Sequence, residues 1–476
     1  MQLFAFSATI IVMLTRRLFV RSVIIVMVFL LAWPNTAPAA AAPAGNGQSP
    51  SSSYFVLDNG LQVLLQEKHD LPLTAMTLAV NLGVKDETEN SSGYTHLLEH
   101  MLLFGSSAEA GNDTSLAEFR SHGIAANAHT DHDLMTFEVS CPAADSAWAL
   151  AGLRQTVFSN RMDAVRLEKE KRIILEEILQ LRDNPQYLGR LLLMQLLFAG
   201  HPYGRAPYGD KNVISKASVE DLQAFGRRFL LPGRCALSII GDFVLPDMEK
   251  QVRAGWSVLE KGDAIAADIP PAGRLKKNVE QRVELDLNES HLFLGWWAPD
   301  FNHEHRLALS LLTYVLGRGL NPLLYAVLGG ERRLVEQLDM SYIPMAYGGM
   351  VVLHLILDEK NISGARNELA RFLSQAGSFN FSKEDYQTPY QSYVFDYLES
   401  AKNQMTYDAG NFTESALTLS NASARFLLLN LKPSEGSYLE NVEKVESSDL
   451  RRVAGKYLSG KKVAALAIVP LKKGPQ

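Results

Sequence analysis

The stretch Gly93-Tyr94-Thr95-His96-Leu97-Leu98-Glu99-His100-Met101 concentrates two imidazoles and one carboxylate in five residues, in the order His-x-x-Glu-His. On a helix His96 and His100 stand at i and i+4, so both rings leave one face about a turn apart. That spacing lets two neutral imidazole nitrogens reach one Zn²⁺ at ~2.0–2.1 Å each. Glu99 sits beside them, within reach of a proton on a metal-bound water. The bland alternative is a chance pattern, since histidine pairs on helices are common. The neighbours Leu97, Leu98, Met101, Leu102, Leu103 and Phe104 weigh against it. Burying two histidines and a glutamate among them costs free energy unless something satisfies the polar atoms, and a metal would.

A catalytic zinc needs a third protein ligand and one open position. The run Leu167 to Leu181 is rich in helix formers, and Ile173, Ile174, Ile178 and Leu181 make it amphipathic. Its Glu170 and Glu177 are seven apart, two turns along one face. Either Glu176 or Glu177 could reach a metal; spacing alone leaves both open. Any single carboxylate there also reads as a solvated helix face with i,i+4 partners.

These helices need a scaffold. Alternating runs at Leu61–Leu65 and Leu73–Val80 and the segment Ala236–Gly241 read as strands of a first domain. Residues 54–262 form that domain, and Pro/Gly-containing residues 263–274 form a linker. Residues 275–476 form a second domain that starts again with strands, at Val283–Leu287 and His291–Trp297. It continues through an apolar helix near Leu307–Leu316 and a helix-rich stretch from Tyr386 to Ser420, and closes on a strand at Val463–Val469. The halves share length and element order without a residue-level repeat. His354 falls in a strand pattern and reads as structural.

The 476 residues are 47% hydrophobic and 21% charged, with a formal net charge of −6. That composition supports large cores in more than one domain, and no basic concentration points to nucleic acid. The N-terminus reads as a signal peptide over residues 1–44: Arg16, Arg17 and Arg21, an apolar run from Val23 to Trp33, then Ala37-Pro38-Ala39 as an Ala-x-Ala cleavage site. The run is too short for a comfortable span, so no membrane span is expected after cleavage. Met13 is an alternative start. Thr15-Arg16-Arg17-Leu18-Phe19 resembles a twin-arginine signal, but the strongly apolar core favours the general secretory route. The expected destination is a bacterial periplasm or the medium. Residues 45–53 read as a flexible Gly/Ser/Pro lead-in. Cys141 and Cys235 could pair in an oxidising compartment or stay as two buried thiols.

Several segments in order carry a resemblance: Leu57-Asp58-Asn59-Gly60-Leu61-Gln62-Val63, the His96–His100 motif, Asn127-Ala128-His129-Thr130 with Thr136-Phe137, Glu170-Lys171-Arg172-Ile173-Ile174-Leu175-Glu176-Glu177, His201-Pro202-Tyr203-Gly204 and Ile239-Ile240-Gly241-Asp242. Over most of its length the chain resembles the pitrilysin/insulinase family of inverted zinc metallopeptidases, which includes the mitochondrial processing peptidases. The resemblance implies an α+β fold: two related domains, each a mostly antiparallel sheet with flanking helices, arranged as a clamshell. It implies a zinc-dependent endopeptidase acting on peptides or unfolded protein segments, with one Zn²⁺ per chain held by His96, His100 and Glu177. Glu99 becomes the general base and Glu170 a supporting carboxylate. Asn127 and Ala128 become part of an edge strand that pairs with substrate.

The second domain lacks the His-x-x-Glu-His pattern. Full-length clams of this family carry there an Arg and a Tyr, seven apart, that grip the substrate carbonyl. Arg333 begins a similar segment, but position 340 is Met and the nearest tyrosine is Tyr342. Either Tyr342 serves by a shift in register, or a second chain supplies the pair in a homodimer or a heterodimer with a paralogue. The alternatives to an active peptidase are a non-catalytic subunit of a protease-like complex and a different zinc hydrolase.

Overall fold

A computed structural model describes residues 51–472 apart from 105, 108–114, 263–267, 331, 380, 382–395 and 430–437. The signal peptide at 1–44 lies outside the described residues, as do the first part of the lead-in and positions 263–267 of the linker. Two sheets carry the fold. The first comprises β1 (Ser52–Val56), β2 (Gln62–Glu67), β3 (Leu73–Val80), β4 (Ala125–Thr130), β5 (Met135–Pro142) and β6 (Cys235–Gly241), in the order β1-β2-β6-β3-β5-β4. All neighbours are antiparallel except β2 and β6. Strand β1 starts at Ser52, so the lead-in ends two residues earlier than its composition implied; Ser52 and Ser53 pair with Gln66 and Leu65.

The second sheet comprises β7 (Val279–Leu285), β8 (Ser290–Ala298), β9 (Gln337–Met345), β10 (Gly348–Leu357) and β11 (Ala464–Pro470), in the order β9-β10-β8-β11-β7. Again one pair is parallel, β7 with β11. Matched from β2 and β7 onward, the two sheets have one topology: the first strand runs parallel to the last, and the third ends up as an edge. The two domains are related α+β units, as the resemblance implied.

Four helices matter for the site: α1 (Tyr94–Leu103), α2 (Ala164–Gln180), α3 (Pro185–Leu197) and α4 (Ala416–Leu428). The halves exchange two of them. Helix α3, from the first half, lays Leu193, Met194 and Leu197 against Phe293, Val352, Leu466 and Ile468 of the second sheet. Helix α4, from the second half, packs on β3, β5 and β6; Ser420 Oγ donates to Ser238 O at 2.8 Å and Arg425 meets Asp131 at 2.6 Å. Each sheet is built from strands of one half of the chain, but the covering layers cross between the halves.

At the α3 crossing, Gly189 faces the buried ring of Phe293, and a Cβ there would lie 2.1 Å from it. Phe293 stacks on His354 at 4.2 Å and has little room to yield. Gly189→Val is therefore expected to cost about 1–3 kcal/mol through overpacking, read as a lower urea midpoint with unchanged slope. At the α4 crossing, Asn421 donates to Glu138 of β5. Burial raises Glu138 from an ordinary 4.5 to about 7, against the lowering by Asn421 and Arg425. Between those values the folded chain holds a proton that the unfolded chain has lost. Stability therefore falls as pH rises through that window, by roughly 3 kcal/mol at most. Glu138→Gln removes the proton, so its melting temperature relative to wild type is expected to climb from pH 5 to pH 8. A pH-independent difference would discount Glu138 as the source.

Both cysteines are buried free thiols. Cys141 lies opposite Thr74 and Cys235 opposite Val80 on β3. Six residues of strand, about 20 Å, separate those positions, far beyond disulfide reach. One helical run among the described residues, Arg306–Leu328, is long and apolar enough to cross a membrane but is mostly buried in the second core.

Candidate metal centre

Helix α1 is buried nearly all round. Leu98 and Leu102 face the first sheet's core, while Leu97 and Met101 pack against Leu167 and Ile174 of α2. The remaining stripe carries His96, Glu99 and His100 into a cavity of 630 Å³. Two features fix the start of α1. Glu87, buried, accepts from the N–H groups of Gly93 and Thr95 at 2.9 Å each, satisfying donors that a helix start leaves open. Gly93, at φ 93°, crosses Gly209, at φ 78°, so closely that a Cβ on Gly209 would lie 2.2 Å from Gly93 Cα. No side chain fits at that crossing.

The cavity brings α1 and α2 together. Ligand atoms of His96, His100 and Glu177 all lie within 4.8 Å of one another. Glu177 Oε2 is 3.7 Å from a ring nitrogen of His96, Nε2, and 3.9 Å from His100 Nε2. Two ligands of one tetrahedral zinc at ~2.0–2.1 Å stand roughly 3.4 Å apart, so both Glu177 distances come close to that span, and the whole trio lies within 4.8 Å. Burial, then His100, lowers His96 well below its ordinary range, leaving a neutral ring. His100 Nδ1 lies 3.0 Å from Glu170 Oε2. A carboxylate only accepts, so Nδ1 carries a proton; burial works against it, but Glu170, Glu177 and Glu99 raise His100 overall, and its Nε2 faces Glu177. Arg166 Nε, 2.9 Å from Glu170 Oε1, anchors that carboxylate. Burial raises Glu99 above the ordinary carboxylate range, opposed by His100. Glu176 is exposed and absent from the cavity wall.

Asn127 and Ala128 lie on β4, the sheet's edge, and line the same cavity. Asn127 Nδ2 is 3.1 Å from His129 Nε2. Arg333 and Tyr342 are not brought there. Tyr342 is 3% exposed, and its hydroxyl donates to Pro299 O at 2.8 Å. The two-residue period of β9 puts Met340 and Tyr342 in the second domain's own core, on the face opposite to the one α3 covers. The expectation that a register shift lets Tyr342 serve is thus corrected: neither position 340 nor 342 points toward the first half. Arg333 is exposed, at φ 47°, outside the cavity wall.

Other residues at the cavity escaped sequence reasoning. Tyr208 meets His96 edge to face at 5.0 Å and Tyr187 at 6.0 Å, and Tyr187 with Arg190 lines the wall. Away from the cavity wall, Tyr203 of the segment His201–Gly204 already singled out in the sequence ties the halves: its hydroxyl donates to Asp133 Oδ1 at 2.6 Å and accepts from Tyr347 N at 3.0 Å.

Fold and donor set together define a two-domain α+β protein in which a His-x-x-Glu-His helix and a second helix's carboxylate bring together three side chains that could hold a metal ion. Residues 62–211 match the family described as insulinase (peptidase family M16), and residues 216–388 match the peptidase M16 inactive domain. The chain belongs to the M16 peptidase family. It is 23% identical over 305 residues to an uncharacterized zinc protease, YmxG, of Bacillus subtilis, covering 63% of this chain and 72% of that protein. It is 21% identical over 430 residues to the zinc protease PqqE of Helicobacter pylori, covering 88% and 93%. Among solved structures, a protease from Helicobacter pylori superposes with a TM-score of 0.77 at 20% identity, covering 88% of this chain and 99% of that one.

Proposed function

We propose that this protein is a zinc-dependent endopeptidase that hydrolyses peptides or unfolded protein segments. The observation that carries the reading is the convergence of His96, His100 and Glu177 beside the buried Glu99. In this reading those three residues hold one Zn²⁺ per chain. Bound there, zinc supplies a Lewis acid and brings a water's pKa down to about 7. Glu99 would be placed to take a proton from the attacking water and return it to the leaving amine, and its raised pKa suits both halves of the transfer. Glu170 keeps the His100 ring oriented and its tautomer fixed. The free edge of β4, at Asn127 and Ala128, pairs with an extended substrate through main-chain groups, which makes recognition tolerant of sequence.

The placement of Arg333 and Tyr342 favours a complex. With neither at the cavity, a second copy or a paralogue supplies the Arg/Tyr grip, and the N-terminal segment sends the product to the periplasm or the medium. The same placement supports the second reading, a non-catalytic subunit. Purified mature protein, alone and with the paralogue, should bind one zinc and cleave a quenched peptide in a chelator-sensitive way. Zinc binding without cleavage in either form would favour the subunit reading.

A further inference from the structure

We propose that Arg190 is a specificity-determining residue that receives a carboxylate of the substrate; this rests on the endopeptidase reading above and narrows its substrate class. Arg190 belongs to α3 and is 8% exposed, yet it lines the cavity that holds His96, Glu99 and Glu177. Its guanidinium makes no hydrogen bond or ion pair with any described residue. The charged groups that act on it are Asp339, beyond ion-pair distance, and Arg318, which repels it, both from the second half. Tyr187, three residues earlier on the same helix, hydrogen-bonds Tyr208, which touches His96. The guanidinium therefore stands on the wall shared with the donor cluster.

A guanidinium carries five donors in a planar fork, and burying it without an acceptor is costly. The cavity's own acids are engaged elsewhere. Asp131 is paired with Arg425, Glu170 with His100 and Arg166, and Glu177 faces the imidazoles. Glu99 faces His100. The other cations on the wall differ from Arg190: Arg166 is matched by Glu170, while Arg120 and Lys169 are exposed. The fork is thus preorganised for an acceptor that arrives with the substrate, and its geometry matches a carboxylate two bonds at a time. That carboxylate is either an Asp or Glu side chain near the scissile bond or the free C-terminus of a short peptide.

The test uses zinc-loaded mature protein, as wild type, Arg190→Gln and Arg190→Lys, each checked for zinc content and circular dichroism. Quenched peptides are compared in pairs: Glu against Gln at each position flanking the cleaved bond, and C-terminal acid against C-terminal amide. Wild type is expected to favour the acidic member at least tenfold in kcat/KM, chiefly through KM. Arg190→Gln should bring that ratio to within twofold, and Arg190→Lys should keep part of it. The pair that responds names the carboxylate's source. A ratio unchanged in Arg190→Gln, or no preference in wild type, overturns the proposal. If wild type cleaves nothing, either alone or with the paralogue, the endopeptidase reading fails by itself. Anisotropy of the same peptides, fluorescein-labelled, then decides on Arg190: an acid preference lost in Arg190→Gln sustains it, and equal binding refutes it.

Discussion

Glu99→Gln is expected to leave the protein's zinc content at the wild-type level and to lower peptide cleavage by at least a hundredfold. Positioned general acid–base groups contribute roughly 10²–10⁴-fold, and Glu99 is asked to move a proton in both directions. The geometry separates its role from the donors' role. The atoms that converge come from His96, His100 and Glu177, and Glu99 is not among them. Gln has the same shape, so α1, packed nearly all round, keeps its place. The amide cannot hold the proton, whereas the carboxylate's burial prepares it to. Metal analysis and a quenched-peptide assay on the same preparation check both halves. Loss of zinc from Glu99→Gln would mean that residue 99 helps hold the ion, and the division of labour between Glu99 and the three donors would be wrong.

The parts of the site legible in the sequence are those a single helix period encodes. His96, Glu99 and His100 share a stripe because they share one helix, and Glu170 and Glu177 do so on another. The strand Leu73–Val80 was likewise legible from its alternation and apolar content. What could not be read is pairing across distance. Leu193, Met194 and Leu197 would look the same under either sheet, and only the fold shows that they cover the second. Tyr342 lies near the segment expected for a gripping tyrosine. A spacing along the chain does not say which face of a strand a residue takes, and in this chain that face belongs to the second core. Glu87, Tyr208 and Arg190 are isolated residues with no local pattern. Each acquires meaning only when α1, α3 and the Gly93–Gly209 crossing assemble around one cavity.

Glu177→Gln should lose zinc, while its neighbour Glu176→Gln should keep it. The two differ by one residue and so by about 100° around α2. That rotation puts Glu177 Oε2 3.7 and 3.9 Å from the two imidazole nitrogens and leaves Glu176 exposed. An amide oxygen keeps the shape of the donor but removes the only negative charge in the trio, and a dication held by two neutral rings and an amide is poorly matched. A fall of roughly 100-fold or more in zinc affinity is expected for Glu177→Gln, against less than twofold for Glu176→Gln, measured by competition with a coloured chelator at fixed pH. Cleavage at limiting zinc should follow the same order. Glu170→Gln should fall between them, since outer partners of metal-bound histidines are typically worth 10–100-fold in affinity or activity. Equal losses from positions 176 and 177 would mean that α2 does not present its carboxylates to the imidazoles in the rotation described, and the pocket would then lack its third donor.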